Sequence, residues 1–129
     1  MSNRPQANPD TAKHKERCNS ILAISSRIRY AGVKNRFGRT LAGSLRKGVT
    51  PLLTPDDARN EYFIEATRTQ LRKSFEKSIG KTEYSHTENE KVKIITIPSG
   101  DNFYYITLDK DTPASEVAAV IEKTRKTVQ

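Results

Sequence analysis

Seven Lys and Arg residues fall between Arg27 and Gly48, a stretch with no Asp or Glu: Arg27, Arg29, Lys34, Arg36, Arg39, Arg46 and Lys47. Bases at this density are the electrostatic footprint of a surface that meets phosphates or another polyanion. The same charges also serve to keep an exposed strand edge from pairing with other chains. Arg27 and Arg29 share strand parity, whereas the turn and strand-end bases need not converge with them. Tyr30 and Phe37 lie among the bases and have rings able to stack on nucleobases, although Tyr30 is expected in the core. Outside this stretch the charges nearly cancel, so the net charge of +8 belongs essentially to one segment.

Residues suited to catalysis are sparse. The only histidines are His14 and His86, and the only thiol is Cys18. His14 and Cys18 are four apart, one helical turn, but two ligands do not hold a metal and no further cysteine is available. The expectation is a solvated imidazole and a small buried thiol. His86 sits in a polar segment beside Tyr84 and Ser85, and Glu83, Glu88 and Glu90 read as solvated carboxylates, so no general base is assigned. The glycines fit no phosphate-binding loop. No catalytic residue, metal or cofactor is expected. A lone cysteine excludes an internal disulfide and fits a reducing, cytoplasmic setting. No apolar run reaches the length of a membrane span, and the N-terminus lacks the apolar core of a signal peptide.

The elements that must position these residues follow from pattern. At 129 residues the chain is long enough for one domain. Its apolar fraction is 34%, so some of it must lie outside the core. The polar, proline-broken start gives an expected flexible tail over 1–9 and a single domain over 10–129. Asn8-Pro9-Asp10 opens a first helix over about 10–25. "RIRYAGVK" then alternates, with Ile28, Tyr30 and Gly32 expected on one face and Ala31 and Val33 on the other. "NRFG" suits a type I turn, and "RTLAGSL" is the return strand. Its small residues Thr40, Ala42 and Ser44 are expected to form a flat face that another element approaches closely. Thr54-Pro55-Asp56-Asp57 starts a second helix, expected to run to Ile79 and stop at Gly80. Its apolar set is Tyr62, Phe63, Ile64, Ala66, Leu71, Phe75 and Ile79, and Glu61 and Glu65 form a like-charge pair one turn apart. Three consecutive bulky residues, Tyr62 to Ile64, cannot all face one way, so this helix is expected to touch two things. Three strands follow ("TEYSHTE", "KVKIITI" and "NFYYITLD"), with "SGDN" joining the last two. A final helix opens at Thr112-Pro113 and buries Val117, Val120, Ile121, Thr124 and Val128. The expected fold is α+β: a five-stranded antiparallel sheet flanked by helices, in the order α-β-β-α-β-β-β-α.

That order resembles the roadblock family, a relative of the longin and profilin folds. "GVKNRFGRTLAG" is similar to the first roadblock hairpin, through Gly32, Val33, Gly38, Leu41, Ala42 and Gly43. The chain also resembles short uncharacterised archaeal proteins with an Ile-Arg-aromatic-x-Gly strand and a later Ala-Gly, here Ile28, Arg29, Tyr30, Gly32, Ala42 and Gly43. Roadblock proteins often carry an acid near this turn, where this chain has Asn35, Arg36 and Arg39. The resemblance implies a non-enzymatic homodimer or heterodimer that acts as a scaffold or regulator, in some cases on small GTPases. The expected partner surface is Tyr62, Phe63 and Leu71 on the long helix with Thr40, Ala42 and Ser44 on the second hairpin strand. Two alternatives stand beside it. One is a nucleic-acid-associated protein using the basic hairpin 27–48. The other is a small-ligand sensor with Tyr84, Tyr104 and Tyr105 lining a pocket between sheet and helix.

Overall fold

Alternating β-branched and aromatic residues build the centre of the sheet, and the glycine turns set its edges. The structure is a computed structural model that describes residues 9–128. Residues 1–8 of the expected tail, Asn8 included, lie outside those residues, and Pro9 is the first residue of a helix. The elements are α1 (Pro9–Leu22), β1 (Ile28–Lys34), β2 (Thr40–Leu45), α2 (Pro55–Arg72), a 3-10 turn (Lys73–Phe75), α3 (Glu76–Ile79), β3 (Ser85–Glu88), β4 (Val92–Ser99), β5 (Asn102–Asp109) and α4 (Ala114–Val128). The strands form one antiparallel sheet in the order β2-β1-β5-β4-β3. This is the expected α+β order, with the long helix broken near its end. Among the described residues no helix is long and apolar enough to cross a membrane.

The two sheet faces are covered unequally. On one side α1 and α4 enclose the main core, with Cys18, Ile21, Ile95, Ile106, Leu108 and Val120 all buried. The α4 stripe is the expected one, Val117 to Val128. On the other side α2 covers a thinner layer of Ala66, Ile94, Phe103 and Tyr105, with Tyr30, Tyr62 and Val92 packed around it.

Two bulges change the expected parity of the hairpin. Ile28 pairs with Leu108 and Tyr30 with Thr107, so Arg29 is an extra residue in the ladder. Ile28 therefore joins Ala31 and Val33 in the α1/α4 core, while Tyr30 turns toward α2. In β2, Val33 pairs with Ala42 and Lys34 with Thr40, which leaves Leu41 as the bulge. Thr40 is thus separated from Ala42 and Ser44, and the expected three-residue face does not exist. Alternation counted across a bulge inverts every assignment beyond it.

Helix α1 ends at Leu22, three residues earlier than expected. The Arg46 guanidinium explains the stop: it donates to the Leu22 and Ser25 carbonyls at 2.6 and 2.7 Å, and its Nε donates to the Ile28 carbonyl at 2.6 Å. A cation satisfying the last carbonyls is a favourable helix end. The start of α2 is as expected, with Asp57 N–H donating to Thr54 Oγ1 at 3.1 Å and proline in the first turn. The 3-10 turn at Lys73–Phe75 interrupts the run before Gly80, whose φ of 87° ends it. Pro98 sits inside β4, beyond the Ser85–Thr96 pair that ends β3, so no third strand needs its missing N–H.

The hairpin turn docks on α2. Asn35 Oδ1 accepts from Phe37 and Arg39 N–H at 2.9 and 3.0 Å, and Gly38 N–H donates to the Asn35 carbonyl at 2.9 Å. Gly38 and Gly48 have φ of 84° and 83°. A β-carbon on Gly38 would lie 2.7 Å from the Tyr62 carbonyl oxygen, whereas one on Gly48 would meet open space. Both alanine substitutions incur the left-handed backbone cost of about 1 kcal/mol. Gly38→Ala is expected to cost a further ~1–3 kcal/mol for displacing α2. Urea unfolding of the two variants should show that difference, and equal losses would mean that the turn does not bear on the helix.

Candidate functional site

The junction between the hairpin and α2 is built on two facing glycines. Gly32 and Gly43 are cross-strand partners, and a β-carbon on either would lie 2.3 or 2.4 Å from the Tyr30 hydroxyl. Their bare backbone gives the Tyr30 ring room across both strands. Tyr30 meets Tyr105 edge-on at 6.4 Å between ring centroids, and Tyr62 meets Tyr105 at 5.0 Å. Lys34 is fully buried behind them. Its Nζ donates to Tyr30 Oη at 2.7 Å and Thr40 Oγ1 at 2.8 Å, and lies 3.5 Å from the centre of the Tyr62 ring. Burial without a carboxylate partner pulls the Lys34 amine down to about 7. Burial, and then Tyr62, push the Tyr30 phenol up.

The seven bases of the hairpin do not converge. Lys34 is inside, because it shares the strand face of Tyr30 and Gly32, which looks toward α2. Arg46 is spent on three carbonyls. Arg27 pairs with Asp111 at 3.0 Å and Glu116 at 3.2 Å. Arg29 pairs with Asp109 at 3.3 Å and donates to the Thr50 carbonyl at 3.0 Å. Arg36, Arg39 and Lys47 are exposed, with no ion pair among the described residues. Arg36 and Arg39 flank the exposed Phe37 at the turn, and Lys47 is at the opposite end of the hairpin. The acids that neutralise Arg27 and Arg29 come from the far end of the chain, which sequence spacing alone does not reveal.

The partner residues divide in the same way. Ser44 is buried and donates to Asn19 Oδ1 at 2.7 Å, and Ala42 is half-buried with Cys18 Sγ 4.0 Å from its carbonyl. The element that approaches this small-residue surface is α1 of the same chain, which corrects the expectation that a partner does. Thr40 is tied to Lys34. Helix α2 is inverted relative to a simple amphipathic helix. Its sheet-facing side carries Glu61, Tyr62, Glu65 and Ala66, and Glu65 is only 5% exposed. Its solvent side carries Phe63 at 63%, Leu71 at 65% and Ile79 of α3 at 76% exposure, with Ile64 and Phe75 also exposed. Glu65 accepts from Thr96 Oγ1 at 3.2 Å and lies 3.6 Å from Arg68, yet burial and then Glu61 push its carboxyl up. The Glu61–Glu65 spacing is the sequence signal for this polar inner face, and the expectation of ordinary surface charge does not capture it.

The other candidates disperse. Tyr104 is buried in the α1/α4 core and Tyr84 is exposed, so of the three tyrosines only Tyr105 lines a cavity below α2. Cys18 is buried, and burial pushes its thiol up. His86 contacts Glu88 at 2.8 Å on exposed β3, and Lys110, then Lys93 and His86, hold the Glu88 carboxyl down at about 2. Among the described residues no three of His, Cys, Asp and Glu are grouped to hold a metal ion.

Two outcomes follow. The unfolded chain keeps the Lys34 proton to about pH 10.4, whereas the fold releases it at about 7. Stability should therefore rise from pH 7 toward pH 9, by at most about 1.4 kcal/mol per pH unit, and be insensitive to this group at lower pH. Lys34→Met should flatten that rise in urea titrations, and an unchanged slope would mean that the amine stays charged in the fold. Duplex DNA binding, if measured against salt, should give a log–log slope no steeper than about −3, the value for three phosphate contacts, and not the value near −6 for seven.

No known family's model matches this chain, and no curated protein matches it. Similarity appears among solved structures. The gliding protein MglB of Thermus thermophilus shares 14% identity over 99% of this chain and 94% of that one, with a TM-score of 0.74. An MglB solved with a tetrameric arrangement also shares 14%, over 99% and 93%, at 0.74. A roadblock/LC7 domain from Streptomyces avermitilis shares 12%, over 87% and 94%, at 0.60. The fold of this chain is the roadblock-like one that its hairpin and element order resemble.

Proposed function

We propose that the chain is a non-enzymatic interaction domain that pairs with a second copy of itself through the outward face of α2 and α3, and in that form acts as a scaffold or regulator. The observation that carries this reading is the exposed stripe Phe63, Ile64, Leu71, Phe75 and Ile79, which runs along α2, the 3-10 turn and α3. Large apolar side chains recurring along one helix face are a common mark of a protein contact. An isologous pair would place the same stripe on both sides and cover it at once. The MglB of similar fold that assembles as a tetramer supports self-association. The burial of Cys18 and the exposed setting of His86, outside any cavity lining among the described residues, favour binding over catalysis. A further protein partner, a small GTPase by the roadblock resemblance, belongs to the same proposal.

Sedimentation velocity at micromolar protein should give a dimer. Leu71→Asp with Phe75→Asp should give a monomer with an unchanged far-ultraviolet circular dichroism spectrum, because both residues are exposed within one chain. A wild-type monomer at every concentration, or a variant that still pairs, would overturn the reading.

A further inference from the structure

Under the first turns of α2 lies a groove of about 740 Å³, within the range of small-molecule sites, roughly 300–1,000 Å³. Its walls are Leu45, Leu52, Leu53 and Tyr62, and its floor includes Ile94 and Tyr105. The three leucines are 43%, 53% and 41% exposed, so the rim offers apolar surface that nothing in the fold covers.

The charges in the groove are not balanced alike. Arg29 has its guanidinium engaged by Asp109 and the Thr50 carbonyl. Glu90 and Lys91, both exposed and of opposite sign, also line the groove. Glu61 is different. It is half-buried, it accepts from Tyr105 Oη at 2.8 Å, and among the described residues no base lies within ion-pair distance of it. A half-buried carboxylate in an apolar cleft is stabilised by a cation, and the leucine rim gives apolar surface to the body that carries it. An anionic ligand would meet repulsion from Glu61, and a neutral one would leave its carboxylate without a counter-charge.

We propose that this groove binds a small amphipathic amine, with its ammonium on Glu61 and its apolar body against the leucine rim and Tyr62. The site lies on the sheet side of α2, away from the outward stripe, so it stands independently of self-association.

The test is a series of nitrogen-15 amide titrations of the full chain with octylammonium, octanoate and octanol below their aggregation concentrations. Octylammonium should shift amides of residues 58–62 and of Tyr105, and should bind at least ~10-fold more tightly than either isostere, a gap of about 1.4 kcal/mol. Glu61→Gln keeps an acceptor for Tyr105 and should erase that preference, and Leu45→Trp should fill the groove and weaken all three ligands. Octanoate or octanol binding as tightly as octylammonium, shifts located elsewhere, or a preference that survives Glu61→Gln would overturn the proposal. If either variant fails to fold, the three wild-type titrations decide the matter by themselves.

Discussion

The seating of Tyr30 on bare backbone at Gly32 and Gly43 sets the distance between the hairpin and α2. A methyl group at either glycine would press against the phenol oxygen at well under contact distance and force the ring to shift. Raising the ring would move the acceptor of the Lys34 amine and the edge contact with Tyr105 together. The same hairpin touches α2 a second time, where Gly38 abuts the backbone at Tyr62 and Phe63. Two glycine contacts at separate points hold the helix in position, which compensates for the thin apolar layer beneath it. Lys34 then replaces lost hydration with two hydroxyls and a ring face, which favour the ammonium but do not match water, so burial still pulls its amine down.

The two faces of the sheet have different roles. The α1/α4 face holds most of the apolar burial and the α4 stripe. Helix α2 turns polar groups inward, where Glu61 and Glu65 meet Tyr105 and Thr96, and keeps its bulk outside. A helix arranged this way gives up apolar burial within the single chain and retains surface able to bind.

Much of the fold was legible because the strongest patterns were undisturbed. The Thr54-Pro55 start, the α4 stripe and the β4–β5 hairpin all follow local rules that tertiary structure did not override. The errors have physical sources. Bulges at Arg29 and Leu41 changed parity inside a short hairpin, and nothing in "RIRYAGVK" marks an extra residue. Arg46 reads as surface charge until the end of α1 is placed beside it. The basic segment suggested a polyanion site because its counter-charges, Asp109, Asp111 and Glu116, lie some eighty residues away in sequence. The outward stripe was partly visible, since Tyr62, Phe63 and Ile64 could not all be buried on one face.

Both outer edges of the sheet are poor templates. Strand β3 pairs over only four residues, and His86 with the charged Lys93 and Lys110 crowds around Glu88 at its end. Strand β2 is bent by its bulge, and Lys15 Nζ donates to the Gly43 carbonyl on that strand. Open-ended accretion of chains into fibrils needs a long, flat ladder of free amides, and neither margin offers one. Contact between crowded copies of this molecule therefore has little strand edge on which to propagate.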